Sequence, residues 1–251
     1  MILESKNLSF GFATDNQIIR DISLSIRPGT FTAILGVNGS GKSTLLSCLD
    51  GMLKPQGGTI LLDNENLSAL SGRVRAQSVA YVTQHSHANA VMVYDALLLG
   101  RKPYLQGSPR AEDYAIVEEA IERFGLESLA MRHVDELSGG EYQKMVIARA
   151  FVQQPSVLLL DEPTNNLDIA NQIAVLKIVS QAVYEDGLAA ACVLHDVNLA
   201  LTYCNEFVFM KGGGIFHCGN GQSITAELLS DVYDIECELI EWHGKRIMVT
   251  R

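Results

Sequence analysis

The chain has 251 residues, and its 19 basic and 29 acidic residues give a formal net charge of −10 at pH 7. Apolar residues make up 47% and charged residues 19%, a globular balance that disfavours disorder. An acidic chain of this kind is a poor general nucleic-acid binder. No apolar run approaches the ~18–20 residues that span a bilayer, and the N-terminus lacks the basic start and apolar core of a signal peptide. A single α/β domain is expected at this length.

Short apolar strands alternate with helical segments along the chain. We predict strands over 22–26, 31–35, 59–63, 79–83, 157–161 and 189–194, helices over 43–49, 168–185 and 196–203, a largely helical stretch over 94–140 with a stop at Gly125, a hairpin over 206–216, and short strands over 238–249. This alternation favours a mainly parallel sheet covered by helices. The stretch over about 85–155 is predicted to be an inserted helical subdomain.

A phosphate-binding loop follows the second predicted strand. Residues 36–44 read Gly-Val-Asn-Gly-Ser-Gly-Lys-Ser-Thr and fit the Walker A pattern G-x-x-x-x-G-K-[ST] between a strand and a helix. Loop amides and the helix N-terminus would bind the phosphates, Lys42 would reach the β and γ oxygens, and the Ser43 hydroxyl would ligate Mg²⁺. The predicted nucleotide-binding residues are Gly36, Asn38, Gly39, Ser40, Gly41, Lys42, Ser43 and Thr44. The loop alone does not distinguish a kinase, GTPase, helicase or transporter ATPase.

Two carboxylates end a buried apolar strand further along the chain. Residues 157–162 read Val-Leu-Leu-Leu-Asp-Glu, a Walker B pattern. Asp161 could hold Mg²⁺ directly or through water, and Glu162 is placed to orient or deprotonate an attacking water. Together with Walker A, this pair predicts nucleotide hydrolysis.

A third motif narrows the class of ATPase. Residues 137–141 read Leu-Ser-Gly-Gly-Glu at the start of a predicted helix, where a hydroxyl and backbone amides form an anion site. The motif resembles the signature of ATP-binding-cassette (ABC) ATPases, which is usually Leu-Ser-Gly-Gly-Gln. The resemblance implies that the signature grips the γ-phosphate of ATP bound to a partner subunit, so two chains would close head-to-tail around two nucleotides. The signature residues are Leu137, Ser138, Gly139, Gly140 and Glu141.

Other positions match the same family. Gln84 matches the glutamine that approaches Mg²⁺ and the water, and His195 matches the switch histidine that senses the γ-phosphate. Phe12 matches the aromatic residue that stacks on adenine, with Phe10 as the alternative. The D-loop after Walker B contributes Asn166, Leu167 and Asp168. The resemblance implies that Glu162, His195, Gln84 and Lys42 are catalytic and that Ser43, Gln84 and Asp161 hold the metal.

The resemblance also implies a fold and an organisation. The expected fold is an α/β P-loop NTPase of the ABC ATPase type. Its mainly parallel core would carry an N-terminal antiparallel β subdomain and the helical insert over about 85–155. The whole chain, residues 1–251, would form one ATP-binding domain with a small C-terminal tail over about 232–251.

Residues 93–104 point to a subfamily. They read Val-Tyr-Asp-Ala-Leu-Leu-Leu-Gly-Arg-Lys-Pro-Tyr, which is similar to importers for iron–siderophore, haem and cobalamin complexes. That likeness implies an ATP-hydrolysing homodimer at the cytoplasmic face of the membrane, bound through residues 84–105 to polytopic permease subunits and acting indirectly with a solute-binding protein. Its cofactors would be ATP and Mg²⁺, and nucleic acid would not be a partner. The alternatives are the ATPase of an exporter or another importer, or a soluble non-transport ABC ATPase.

Two smaller expectations concern burial. The five cysteines are widely spaced and odd in number, so we predict small buried hydrophobes in a reducing compartment rather than disulfides. Arg101 and Lys102 could belong to the importer motif or form an ordinary solvated helix end.

Overall fold

The computed structural model describes residues 1–13, 16–83, 91–165 and 167–250. The strands are β1 (Leu3–Ala13), β2 (Asn16–Ile26), β3 (Phe31–Leu35), β4 (Gly57–Leu62), β5 (Glu65–Asn66), β6 (Val79–Val82), β7 (Val157–Asp161), β8 (Ala189–Val193), β9 (Glu206–Lys211), β10 (Gly214–Asn220), β11 (Cys237–Trp242) and β12 (Lys245–Thr250). The α-helices are α1 (Lys42–Leu49), α2 (Gly72–Ser78), α3 (Val93–Leu98), α4 (Ala111–Phe124), α5 (Gly139–Val152), α6 (Ile169–Glu185), α7 (Val197–Tyr203) and α8 (Ala226–Tyr233).

A six-stranded sheet forms the centre of the fold, in the order β10-β9-β3-β8-β7-β6. The five strands from β9 to β6 are parallel, and β10 pairs antiparallel with β9. The carboxyl ends of neighbouring parallel strands meet at one edge, where open α/β sheets bind their ligands. The loop after β3, the end of β7 and the segment after β8 are therefore brought together.

An antiparallel sheet of order β2-β1-β4-β5 covers one face of this central sheet together with α1, and helices cover the other face. The two faces follow the period of two along each strand. On β7, Leu158 and Leu160 pack with α5 and α6, whereas Val157 and Leu159 pack with α1 and the antiparallel sheet. Residues of α3, α4 and α5 belong to the same continuous core as the helix-covered face.

The mainly parallel sheet, the antiparallel N-terminal sheet and most predicted elements are confirmed by the structure. The helical stretch over 94–140 is interrupted, because α4 ends at Gly125 in the left-handed conformation and turns and short 3₁₀ segments lead to α5. The sequence did not indicate α2 or α8. The division into a core and an insert over about 85–155 stays an interpretation.

The burial of the cysteines differs from the prediction. Cys48, Cys192 and Cys204 are buried, as expected of small apolar side chains, whereas Cys218 is exposed on β10 and Cys237 is half-buried. The expectation that all five are buried is wrong for Cys218, because β10 is an edge strand whose residues alternate between core and solvent. Within the described ranges, no helix has both the length and the apolarity needed to cross a bilayer.

Arg101 is not a solvated helix end. Only 4% of it is exposed, and its Nε donates to Asp113 Oδ1 at 2.9 Å. Its Nη1 donates to the carbonyl of Val152 and to the side chain of Gln154, both at 3.0 Å. The neighbouring Lys102 is exposed. Arg101 therefore joins the segment after α3 to α4 and to the C-terminal end of α5.

The C-terminal strands β11 and β12 form a separate hairpin attached to α7. The Asn198 side chain accepts from the Met248 amide at 2.7 Å and donates to the Met248 carbonyl at 3.1 Å. The Arg246 guanidinium donates to the carbonyls of Gly221 and Ile224. Because α7 begins two residues after His195, the hairpin is bonded to the helix that follows the predicted switch residue.

Candidate nucleotide-binding site

The loop between β3 and α1 has the form of a phosphate cradle. Lys42 is buried, and its Nζ donates to the carbonyls of Gly36 and Val37, both at 2.9 Å. These bonds draw the lysine side chain back across the loop. Burial lowers the pKa of Lys42, while the nearby Glu162 and Asp161 carboxylates act to raise it. A bound phosphate group would place negative charge beside the Lys42 ammonium and would stabilise its charged form.

Backbone crowding fixes the start of the loop. A Cβ at position 36 would lie 2.2 Å from the Met210 carbonyl oxygen, and the φ of Gly36 is +139°. Neither the space nor the conformation allows a side chain at this position. The glycine lets the loop backbone lie directly against Met210 on β9. The Ser40 hydroxyl is buried in the same loop without a hydrogen-bond partner among the described residues. An unsatisfied buried donor in a phosphate cradle fits an anionic ligand.

The loop is bonded to the end of β7. Ser43 Oγ donates to Asp161 Oδ1 at 2.9 Å, and the Tyr81 hydroxyl donates to Asp161 Oδ2 at 3.3 Å. Tyr81 also lies 3.2 Å from Ser47 Oγ on α1. Burial raises the pKa of Asp161, and the bond from Ser43 acts to lower it. The Asp161 carboxylate thus lies between α1 and β6, the strand that precedes Gln84.

Glu162 meets His195 across the neighbouring strands β7 and β8. The distance from His195 Nε2 to Glu162 Oε1 is 2.8 Å, and the Asn165 side chain donates to Glu162 Oε2. Glu162 adopts a φ of +51°, a left-handed conformation that is uncommon for a residue with a side chain. The turn after β7 therefore directs the carboxylate towards the histidine.

These residues line one open cleft of about 620 Å³. Its lining residues are Ile18, Asn38, Gly39, Gly41, Lys42, Ser43, Thr44, Glu162, Asn165 and His195. Phosphate-binding donors, a carboxylate and an imidazole thus converge on one space, which suits hydrolysis of a phosphoanhydride.

The signature residues are displayed separately, at the start of α5. Ser138 is the N-cap of α5, and its side chain accepts from the Glu141 amide, while the Glu141 carboxylate accepts from the Ser138 amide at 2.9 Å and from its hydroxyl at 2.7 Å. Ser138 and Gly139 are exposed, and Leu137 and Gly140 are half-buried. Among the described residues that line the cleft, none comes from 137–141.

The family is decided by comparison with known proteins. Residues 19–165 match a family model described as ABC transporter. The chain belongs to the ABC transporter family. ATP-binding proteins of this family are ATPases coupled to transport, so this cassette binds ATP and is an ATPase subunit of a transporter.

Relatives span nearly the whole cassette. An uncharacterized ABC transporter ATP-binding protein of Methanocaldococcus jannaschii is 41% identical over 99% of this chain and 98% of its own length. The ferric enterobactin transport ATP-binding protein FepC of Escherichia coli is 34% identical over 95% of this chain and 89% of its own length. Further relatives are named as petrobactin import and cobalamin import ATP-binding proteins, so the cassette resembles the iron–siderophore and cobalamin importer group.

Solved structures have the same fold. A chain from a transporter assigned to the metal-chelate type, solved in an inward-facing conformation, aligns with a TM-score of 0.84 at 27% identity. The alignment covers 99% of this cassette and 97% of that chain. The fold expected from the sequence, an α/β P-loop cassette, is confirmed.

The remaining predicted residues fall in different surroundings. Phe12 is 72% exposed, whereas Phe10 is 7% exposed and packs in the core of the antiparallel sheet, with the two ring centroids 5.2 Å apart. In the D-loop, Leu167 packs against the core, and Asp168 caps α6 by accepting from the Asn171 amide. Gln84 and Asn166 lie outside the described residues.

Sequence reasoning missed three side chains of the site. Ile18 and Asn165 line the cleft, and Tyr81 bonds to Asp161. Tyr81 lies on β6 beside β7, so strand adjacency would have placed it near the end of β7, but no local motif marks it. The position of Asn165 three residues after Glu162 was a usable signal, because the turn after β7 folds back on itself.

Proposed function

We propose that this cassette is the ATP-hydrolysing motor of a membrane importer, most simply one for an iron(III) chelate, haem or a cobalamin-type complex. The observation that carries the hydrolytic part is the Glu162–His195 contact at 2.8 Å in the cleft that holds Lys42. Glu162 would act as the general base for the attacking water. His195 would orient that carboxylate and contact the γ-phosphate.

The phosphates would lie along the loop. Amides at the start of α1 and the Lys42 ammonium would bind the β and γ oxygens, and a phosphate would replace the two backbone carbonyls that Lys42 now contacts. The exposed Phe12 is the better candidate for stacking on adenine, because Phe10 is committed to the core.

The metal site would use oxygen ligands, which Mg²⁺ prefers. Ser43 Oγ and Asp161 Oδ1 lie 2.9 Å apart and could both face one ion, with Gln84 as a further ligand. Mg²⁺, when bound there, supplies positive charge to the β and γ oxygens. Tyr81 on β6 would orient the Asp161 carboxylate through the bond from its hydroxyl.

A complete site would need two chains. The signature does not line the cleft of its own subunit, and its Ser138 hydroxyl and Gly139 and Gly140 amides would contact the γ-phosphate from a second copy. The D-loop residues Asn166, Leu167 and Asp168 would lie at the same interface. Bound ATP would then contact both subunits and stabilise the dimer, and hydrolysis would allow the two subunits to separate.

The membrane partner would dock on residues 84–105. Within this segment Val93 and Leu97 are fully buried, whereas Leu99 is 55% exposed beside an open groove that Arg73, Lys102 and Gln153 also line. Permease subunits would hold the cassette peripherally at the cytoplasmic face of the membrane, with a solute-binding protein acting through them. The likeness to the ferric enterobactin transport protein FepC and to the metal-chelate-type structure supports a metal chelate as the substrate.

The test is purification of the tagged cassette from its native cells in mild detergent, with mass spectrometry of the proteins that accompany it. We expect a polytopic membrane protein and a solute-binding protein, and ATP-dependent uptake of a metal chelate or corrinoid after reconstitution. A polytopic partner without a binding protein would favour an exporter, and ribosomal or chromosomal partners would contradict transport.

A matched pair of variants tests the docking surface. Leu99→Glu should lose the membrane partner while the isolated cassette keeps its basal ATPase rate. Phe216→Glu changes a residue that is 46% exposed on β10, at the edge of the central sheet opposite to β6, and should retain the partner. Equal retention by both variants would contradict docking on residues 84–105.

A further inference from the structure

The signature of this cassette is occupied by one of its own side chains. Glu141 Oε2 accepts both the Ser138 amide, at 2.9 Å, and the Ser138 hydroxyl, at 2.7 Å. The Glu141 amide donates back to Ser138 Oγ at 3.4 Å. The bonds from the Ser138 hydroxyl and amide lower the pKa of Glu141, so the group is a carboxylate at neutral pH. Two donors at the head of α5 thus bond to a negative charge within the same subunit.

A serine hydroxyl has one proton to donate. If Ser138 contacts the γ-phosphate of ATP on a second copy, as in the proposed function on which this inference rests, its bond to Glu141 must first be broken. The carboxylate also places a negative charge beside the position of the incoming phosphate, which opposes the approach. A glutamine side chain at this place would be neutral and could donate its amide protons to Ser138 Oγ, leaving the hydroxyl proton for the phosphate.

We propose that Glu141 competes with the γ-phosphate for Ser138 and thereby restrains ATP-driven closure of the two subunits. The exchange replaces one anionic acceptor of the Ser138 hydroxyl by another, so the resting signature stays bonded to Glu141 and the subunits close only when ATP outcompetes the carboxylate. Glu141 is a positioning residue, because it acts through Ser138.

The surroundings assign this exchange to the Glu141 side chain rather than to a movement of α5. A Cβ at Gly140 would lie 2.8 Å from Asn171 Nδ2, so α6 packs directly against the first turn of α5. Asn171 is held in turn by Asp168, to which its amide donates at 2.8 Å and its Nδ2 at 3.1 Å. The backbone of the signature is therefore held in place by Asn171 of α6. The Glu141–Ser138 bonds, by contrast, are exposed, so the glutamate side chain can rotate away.

The test measures closure directly in the Glu162→Gln background, where hydrolysis does not consume the dimer. ATP is titrated against Glu162→Gln and against the double variant Glu162→Gln/Glu141→Gln, and the dimer fraction is read by sedimentation velocity. We expect the ATP concentration for half-maximal dimer to fall by about fivefold when the carboxylate is removed, the scale of one exposed charge-assisted hydrogen bond per site. The difference should shrink at high salt, because the charge is exposed.

Controls separate this inference from the proposed function. Glu122→Gln, at an exposed position on α4, removes the same charge elsewhere and should leave the titration unchanged. If Glu162→Gln alone stays monomeric at every ATP concentration, the two-chain site itself is wrong. If it dimerises and Glu141→Gln leaves the midpoint unchanged or raises it, the restraint by Glu141 is wrong.

A second variant guards against loss of the helix cap. Glu141→Ala removes both the charge and the acceptor, and it too should lower the ATP midpoint. The melting temperature of each nucleotide-free variant shows whether α5 remains folded. A higher ATP midpoint for both variants at an unchanged melting temperature would mean that Glu141 supports the closed state, which would overturn the proposal.

Discussion

His195 Nε2 lies 2.8 Å from Glu162 Oε1, although the two residues follow different strands of the central sheet. The parallel pairing of β7 with β8 brings the two strand ends side by side, and the Asn165 side chain bonds to the second carboxylate oxygen. The carboxylate is thus held from both sides at the mouth of the phosphate cradle. A carboxylate that is oriented in this way would need little rearrangement to act as the proposed base when water and the γ-phosphate arrive.

The first prediction concerns this base. Glu162→Gln keeps the size of the side chain but removes the proton acceptor, so single-turnover hydrolysis of ATP should fall by about 10³-fold while ATP affinity is retained. The rate is measured with an excess of cassette over radiolabelled ATP, and affinity by equilibrium titration with a fluorescent ATP analogue. A hydrolysis rate close to that of the unaltered chain would remove Glu162 from the role of base.

A double-mutant cycle tests the link to His195. If the imidazole acts partly by holding the carboxylate, as proposed, His195→Ala should slow hydrolysis strongly alone but add little in the Glu162→Gln background. Additive losses in the double variant would mean that the two side chains act independently, despite their contact.

The second prediction concerns the two-chain site. Ser138→Ala and Glu162→Gln should each slow hydrolysis, but a mixed dimer contains one site with both Glu162 and Ser138 intact. Mixing the two variants in equal amounts should therefore restore hydrolysis to about a quarter of the unaltered rate, since half of the dimers are mixed and each has one intact site of two. A mixture no faster than the mean of its components would place Ser138 in the site of its own subunit.

The third prediction concerns Tyr81. Its hydroxyl donates to Asp161 Oδ2, so Tyr81→Phe should leave the proposed metal ligand less well oriented. The Mg²⁺ concentration for half-maximal hydrolysis should rise by about tenfold or more, as expected for loss of a supporting hydrogen bond behind a ligand. ATP binding measured without Mg²⁺ should not change.

Tyr104→Phe is the matched control, because it removes a phenolic hydroxyl that donates to the Gln77 carbonyl, away from Asp161. It should leave the Mg²⁺ dependence unchanged. Equal Mg²⁺ dependence in Tyr81→Phe and the unaltered chain would show that Ser43 alone suffices to orient Asp161.

The parts of the site that sequence predicted best are those carried by local chain geometry. The cradle around Lys42 depends on glycines, a strand and a helix that are adjacent in the chain, and the carboxylates at 161 and 162 follow directly from the apolar strand β7. By contrast, the choice between Phe10 and Phe12 depended on which face of β1 is covered by other elements. The structure separates them by exposure, at 7% and 72%.

Elements and contacts formed between distant segments escaped prediction. The helix α2 contains one large apolar residue, Val74, and shows no clear apolar stripe. Arg101 and Lys102 are indistinguishable as neighbouring basic residues, and only the position of Asp113 on α4 determines which one is buried. The likeness of residues 93–104 to importers pointed to this arginine without supplying its physical role.

The fourth prediction follows from that burial. Arg101→Met would leave the Asp113 carboxylate and the Val152 carbonyl without their guanidinium partner, and it should lower the free energy of unfolding by about 3–5 kcal/mol. Chemical denaturation followed by circular dichroism measures the loss. Arg101→Lys should recover only part of it, because an ammonium cannot reproduce the planar set of donors that serves three acceptors.

The exposed pair of Arg123 and Asp186 provides the comparison. Arg123 Nη2 lies 3.0 Å from Asp186 Oδ2, but 30% and 56% of the two side chains are exposed. Arg123→Met should therefore cost below about 1 kcal/mol. Equal costs for the two arginines would show that burial of Arg101 adds nothing to its interaction.

The last prediction concerns the pH dependence of stability. Burial raises the pKa of Asp50, at the end of α1, to about 6, although Arg75 acts to lower it. Between the unfolded value near 4 and the folded value, the folded chain binds more protons than the unfolded chain, so stability falls as pH rises through this range. At a pH above the folded pKa, Asp50 is charged in both states, and the whole cost of burying its charge destabilises the fold. Asp50→Asn should therefore raise the free energy of unfolding by about 1–3 kcal/mol at pH 7.5 and lose this advantage near pH 4.

The measurement is the denaturation midpoint of the unaltered chain and of Asp50→Asn across the same pH range. Asp231 on α8 is exposed, so Asp231→Asn removes an equal charge without removing a buried one and should change the free energy of unfolding little at pH 7.5. A gain for Asp50→Asn that grows as the pH falls would have the wrong sign for a raised carboxyl pKa. Such a result would mean that the attraction between Asp50 and Arg75 outweighs the cost of burial, because the charged form would then be the one that the fold prefers.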